Sequence, residues 1–107
     1  MKVYIACSTG LKEKVDVYVA ALKSKGHSVF NPIYGSKENL VTHDILNINL
    51  DAIKQCDEVH VIWDGSSYGT IFDLGNAYAL HKPIKIIYAP GQLWLFYIKE
   101  HEGSYLK

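Results

Sequence analysis

The spacing of hydrophobic positions changes several times along the chain, and each change marks an element. Lys2–Cys7 is a short apolar run rich in strand-forming residues, and it stops at Ser8-Thr9-Gly10. From Leu11, apolar residues recur at Val15, Tyr18, Val19 and Leu22, which is one buried stripe of a helix. Lys23, Lys25 and Gly26 then supply cationic and glycine stop signals. Ser28–Phe30 predicts a second strand, ended by Asn31-Pro32. Residues 33–42 carry no period and read as a loop. The pattern continues with a helix over 43–55, a strand over 58–63 and a turn over 64–67. A third helix over 71–81 is closed by Lys82-Pro83, because proline cannot continue it, and Ile84–Tyr88 forms a fourth strand. Residues 92–107 include Leu93, Trp94, Leu95, Phe96, Tyr97 and Ile98, too evenly apolar for period to separate strand from helix.

Alternating strands and helices of this length predict an α/β fold. The expected form is a small Rossmann-like or flavodoxin-like open, mostly parallel sheet with helices on both faces. One domain is expected over 1–107, since domains cluster at roughly 100–150 residues. Such sheets bind small ligands outside the carboxyl ends of the strands, where strand order reverses. That rule singles out the loops 7–11, 31–35 and 64–70.

Composition narrows the ligand. Eleven Lys+Arg balance eleven Asp+Glu, so the chain lacks the basic excess that a duplex-DNA or anionic-membrane binder needs. No nucleic acid polymer and no membrane is therefore expected as partner. The chain has no apolar run of about 18 residues and opens directly on a strand, which points to a soluble, cytoplasmic protein. Cys7 and Cys56 form no CxxC motif, and the five histidines have no metal-ligand spacing, so neither metal nor cofactor is expected. Ser8 and Ser67 have no nucleophile-elbow motif.

Two positions stand out chemically. At 100° per residue, Ile45, Ala52, Ile53 and Cys56 share one helix face and Asn49 lies in its middle, whereas Asp51 points to the opposite side. An amide left unsatisfied there would cost ~1–3 kcal/mol. Asn49 is therefore either a core amide bonded to backbone or a pocket-facing group that holds a ligand. The stretch from Asp64 to Tyr78 places glycines and hydroxyls between a strand and a helix start, where free N–H groups and the helix dipole suit a phosphate or carboxylate. Gly65 and Gly69 allow conformations or close approaches that a Cβ would block. Thr70-x-x-Asp73 is close to a capping box, so Asp73 reads equally as a helix cap and as an active-site carboxylate. Among the tyrosines, Tyr4 lies near the ligand edge of the sheet. Trp94, Phe96 and Tyr97 fit either a core or an apolar dimer patch.

Three pieces in order, Val3-Tyr-Ile-Ala-Cys-Ser8, Asn49-Leu-Asp-Ala-Ile-Lys-Gln-Cys-Asp57 and Asp64 through Tyr78 followed by Lys82-Pro83, resemble the nucleoside 2-deoxyribosyltransferase family. That family includes deoxynucleoside-monophosphate N-glycosidases, and the resemblance covers residues 2–88. It implies cleavage or transfer of the N-glycosidic bond of a deoxynucleoside or its 5′-monophosphate, by a carboxylate nucleophile that forms a covalent sugar intermediate. The nucleophile falls on Asp73, where the family has Glu, and a second acid falls on Asn49, where the family has Asp. Tyr4 matches the family's first-strand tyrosine. Ser67 stands where transferases carry Asp, and in the monophosphate-cleaving branch a hydroxyl there helps hold a phosphate. Cys7, Ser8, Asp64, Ser66, Ser67 and Gly69 are the implied substrate-binding positions. A homodimer or higher homo-oligomer is implied as well, through the second helix or the aromatic tail. The alternative is a non-catalytic nucleoside- or nucleotide-binding or sensing module on the same fold.

Overall fold

The computed structural model describes residues 1–32 and 42–90. The aromatic stretch 92–107 and most of the loop expected after Pro32 lie outside the described residues. The elements run β1 (Lys2–Cys7), a 3-10 turn (Thr9–Leu11), α1 (Lys12–Ser24), β2 (Ser28–Phe30), α2 (Thr42–Gln55), β3 (Glu58–Ile62), α3 (Tyr68–Ala79) and β4 (Ile84–Tyr88). The strands form one sheet in the order β2-β1-β3-β4, and every pairing is parallel. Tyr4 stands level with Phe30 on one side and Val59 on the other, and Cys7 level with Ile62. This is the open α/β architecture that the alternating pattern predicts.

Strand order reverses between β1 and β3, so the chain after β1 turns toward one edge and the chain after β3 toward the other. Right-handed crossovers then put α1 on one face and α2 with α3 on the opposite face. The core is accordingly split in two. On one side Val3, Ile5, Cys7 and Ile62 pack with Val15, Val19 and Leu22 of α1. On the other, Tyr4, Ala6, Val59, Val61 and Trp63 pack with Ile53 of α2, Cys56 just after it, and Leu74 and Ala77 of α3.

Helix limits follow local chemistry. α1 ends at the predicted glycine: Gly26 takes a left-handed φ of 91°, while the N–H groups of Lys25, Gly26 and His27 close onto the carbonyls of Leu22 and Lys23. α3 differs from expectation at both ends. It begins at Tyr68, three residues before the predicted start at 71, because Ser67 in an extended conformation opens the helix ahead of Gly69. Gly69 reads locally as a breaker, but its cost of ~1 kcal/mol is small beside the burial of Thr70, Asp73 and Leu74 that the longer helix gains. At the far end α3 stops at Ala79 and winds out through His81 at φ 56°.

On the α1 face a buried polar chain ties helix to sheet. His60, 2% exposed, meets the Tyr18 hydroxyl through Nδ1 at 2.6 Å and Glu58 Oε1 through Nε2 at 2.8 Å. One neutral tautomer satisfies both contacts, with Nε2–H donating to Glu58 and Nδ1 accepting from Tyr18. Burial pushes the imidazole below its ordinary 6.5, against the opposing pull of Glu58. The unfolded chain therefore takes up a proton on this histidine at a pH where the folded one does not. This contribution to stability is complete above about pH 6.5 and declines as pH falls toward the folded value. Urea unfolding should show a lower midpoint at about pH 5.5 than at about pH 7.5, with a smaller difference in His60→Gln. An equal pH dependence in that variant would assign the effect to other groups.

Candidate active site

The carboxyl ends of β1 and β3 adjoin at the reversal of strand order, and the loops that follow them meet where the Asp64 N–H reaches Ser8. Asp73 lies in the second turn of α3 on its buried side with Thr70, Leu74 and Ala77, and is 2% exposed. Tyr4, fully buried, donates its hydroxyl to Asp73 Oδ2 at 2.7 Å. An ionised acceptor makes such a bond roughly twice as strong as a neutral pair. The bond joins residues 69 positions apart and ties the first strand to the third helix. Phe30 stacks on the Tyr4 ring, with centroids 5.5 Å apart and planes at 14°.

This geometry sets aside the capping-box reading of Asp73. The helix is opened by Ser67, so Thr70 and Asp73 both lie inside it and do not straddle its start. Asp73 is held by a phenol from the sheet, an arrangement no capping box produces. Asn49 occupies the predicted place on α2, 2% exposed on the stripe of Ile45, Ile53 and Cys56, and its amide is bonded. Asp51 is exposed, as its position on the helix predicts. Asn49, Asp73 and Tyr4 thus belong to the side of the sheet covered by α2 and α3.

A second cluster joins the two loops. Asp64 Oδ1 accepts the backbone N–H of Ser66 at 2.8 Å, the Ser66 hydroxyl at 3.1 Å and the N–H of Ser67 at 3.0 Å. The Asp64 N–H donates to Ser8 Oγ at 3.0 Å, and Ser8 is 1% exposed. Those backbone donors, Ser66 first and Ser67 next, hold the Asp64 carboxyl below the usual carboxylate range. Gly65 turns the loop at φ 93° with Pro90 close against it, 3.2 Å from where a Cβ would stand, so a side chain there is disfavoured on two counts.

The family model for nucleoside 2-deoxyribosyltransferase matches residues 3–94. The chain belongs to that family. Among solved structures, the 2-deoxyribosyltransferase of the psychrotolerant bacterium Bacillus psychrosaccharolyticus shares 25% identity at a TM-score of 0.67, covering 80% of this chain and 71% of that one. The Clostridium botulinum CMP N-glycosidase BcmB is similar over 97% of this chain and 82% of its own, with a TM-score of 0.66 at 21% identity. The 2-deoxyribosyltransferase of Leishmania mexicana gives a TM-score of 0.61 at 24% identity, covering 79% of this chain and 62% of that one. The last two likenesses bear on the fold alone. No curated protein sequence matches the chain.

Against the family pattern, the structure brings Tyr4 to Asp73, and Ser8, Ser66 and Ser67 to Asp64. Gly69 is the second residue of α3. Cys7 is separate from both groups: its side chain packs in the α1 core with Val15 and Val19. Three contributors escape sequence reasoning. Phe30 reaches Tyr4 through strand register, which no local signal encodes. Trp63 donates its indole N–H to the Ser67 carbonyl at 3.0 Å, and Thr70, fully buried, donates its hydroxyl to Ser67 Oγ at 3.2 Å. Thr70 had a visible signal, a hydroxyl three positions before the carboxylate, but that spacing pointed to a cap.

Both thiols are buried. Burial, then the charges of Asp73 and Asp16, push Cys7 up to about 12, and burial also raises Cys56. A thiol reacts as its thiolate, so at about pH 8 neither cysteine should be alkylated by iodoacetamide in the folded protein. Both should react once urea unfolds it. Labelling of Cys7 at the same rate in both states, followed by mass spectrometry, would contradict this.

Proposed function

We propose that this protein cleaves or transfers the N-glycosidic bond of a deoxynucleoside or deoxynucleoside 5′-monophosphate, with Asp73 as nucleophile. The family is that of nucleoside 2-deoxyribosyltransferases, and the Bacillus psychrosaccharolyticus relative is a 2-deoxyribosyltransferase. The observation that carries the reading is the 2.7 Å bond from Tyr4 to Asp73, a carboxylate 2% exposed beside the strand-order reversal. Burying a charge costs several kcal/mol unless it is bonded, and a structural role would be met as well by an apolar residue. A carboxylate kept there and fixed in one orientation suits attack on an anomeric carbon.

In this scheme Asp73 attacks C1′ while the bond from C1′ to the base nitrogen breaks, and its electron pair leaves with the base. The resulting sugar ester is then opened by water or by a second base, which regenerates the carboxylate. Tyr4 fixes the carboxylate, so the reaction avoids the ~10²-fold penalty that a ~1 Å misplacement brings. Asn49 orients the base or a sugar hydroxyl. An amide has no proton to give at neutral pH, so the departing base takes its proton from solvent. Ser8, Ser66, Ser67, Gly69 and Asp64 line the sugar end, and Cys7 ends the strand that leads into it.

Chromatography of free base after incubation with each deoxynucleoside and each monophosphate tests this directly. Asp73→Asn should lower release at least ~10²-fold, because the nucleophile is gone. Asn49→Asp should raise release about tenfold or more, since a positioned general acid is worth ~10²–10⁴. Undiminished release in Asp73→Asn would remove Asp73 as nucleophile. The amide at Asn49 favours a second reading, a binding module that has lost the chemistry. Its signature is thermal stabilisation by these ligands with no base released by the wild type.

A further inference from the structure

Phe30 serves two surroundings at once. One face of its ring stacks on Tyr4, with centroids 5.5 Å apart and planes at 14°. The rest of the side chain lines a cavity of about 380 Å³ between β2 and α2. Ile48 and Ala52 of α2 continue the apolar lining, and Lys2, Ser28, Asp51 and Gln55 supply its polar groups. Lys2 and Ser28 stand level at the amino ends of β1 and β2, so the cavity reaches the end of the sheet opposite the loops that carry Ser8 and Asp64. Tyr4, Asn49 and Asp73 do not line it.

Three features select what fits there. The volume lies at the small end of the roughly 300–1,000 Å³ of small-molecule sites. Phe30 offers a flat wall already in a parallel stack, which a planar ring would extend. Lys2 and Asp51 cancel in charge, so neither an anion nor a cation is favoured, while the Ser28 hydroxyl and the Gln55 amide each donate and accept. We propose that this cavity binds an uncharged heteroaromatic molecule of one or two rings against Phe30, at a second site separate from the candidate active site. The free base released in the reaction proposed above belongs to this class, and that identification alone rests on the N-glycosidic reading. Phe30 links the two sites, because a ring stacked on it bears on the brace of Tyr4, which holds Asp73 at 2.7 Å.

The test follows assigned NMR signals of the whole protein as adenine or cytosine is added. The signals of Ser28, Phe30, Ala52 and Gln55 should move and saturate at about 1 mM or below. The ring signals of Tyr4, fully buried, should move with them. Benzoate, planar but charged, should bind about fivefold more weakly or worse. Ala52→Trp fills the cavity and should weaken the response to either base about tenfold or more. Ala52→Leu, a smaller filling, takes its place if circular dichroism shows that the tryptophan variant does not fold. No shifts at these residues, or shifts that a folded filling variant leaves unchanged, overturn the proposal. Benzoate bound as tightly as adenine overturns the ligand class. A dimer by light scattering, whose dilution without ligand moves the same signals, would assign the cavity to a second copy of the chain instead. Base bound here by a protein that releases none from any deoxynucleoside would sustain the site while rejecting the proposed reaction.

Discussion

Every residue of β1 from Val3 to Cys7 is removed from water, so this strand has to be covered on both faces. In a parallel sheet that requirement is met by helices on opposite sides, and chain direction then forces the strand order to reverse beside β1. The split core and the meeting of the loops after β1 and β3 both follow. So does the alternation that sends Val3, Ile5 and Cys7 to one helix and Tyr4 and Ala6 to the other two. A β1 with one solvated face would permit a simpler sheet without a site.

The polar groups exploit that division. On the face of α2 and α3, Tyr4 reaches from the strand to Asp73 and makes one carboxylate part of the core, held and buried. At the strand ends, Asp64 is tied to three donors but open to water. Two acidic side chains nine positions apart in sequence thus have opposite environments, one buried against the sheet and one open to water. On the α1 face, the Tyr18–His60–Glu58 chain is remote from this chemistry and fastens helix to sheet.

Much of the fold was legible in the sequence because period reports burial directly. The α1 stripe of Val15, Val19 and Leu22, the double burial of β1 and the Gly26 stop all appear where the pattern puts them. The odd amide at Asn49 was legible for the same reason, since a polar residue on an apolar stripe breaks the pattern. The start of α3 was not, because Gly69 is a breaker locally and becomes helical only through the burial of the residues that follow it.

Sequence by itself determined the α/β class, the order of elements and the family resemblance carried by the segments around Tyr4, Asn49 and Asp73. Tertiary structure decided what those residues do to one another. Asp73 carried a capping-box spacing with Thr70 until the fold set both inside α3 and brought a phenol 69 residues distant to its oxygen. Ser66 and Ser67 were donors without a stated acceptor until the loop folded them onto Asp64. The physical reason is the same in both cases: local sequence sets backbone preferences over a few residues, whereas a side chain's role depends on which distant group the packed core delivers within about 3 Å of it.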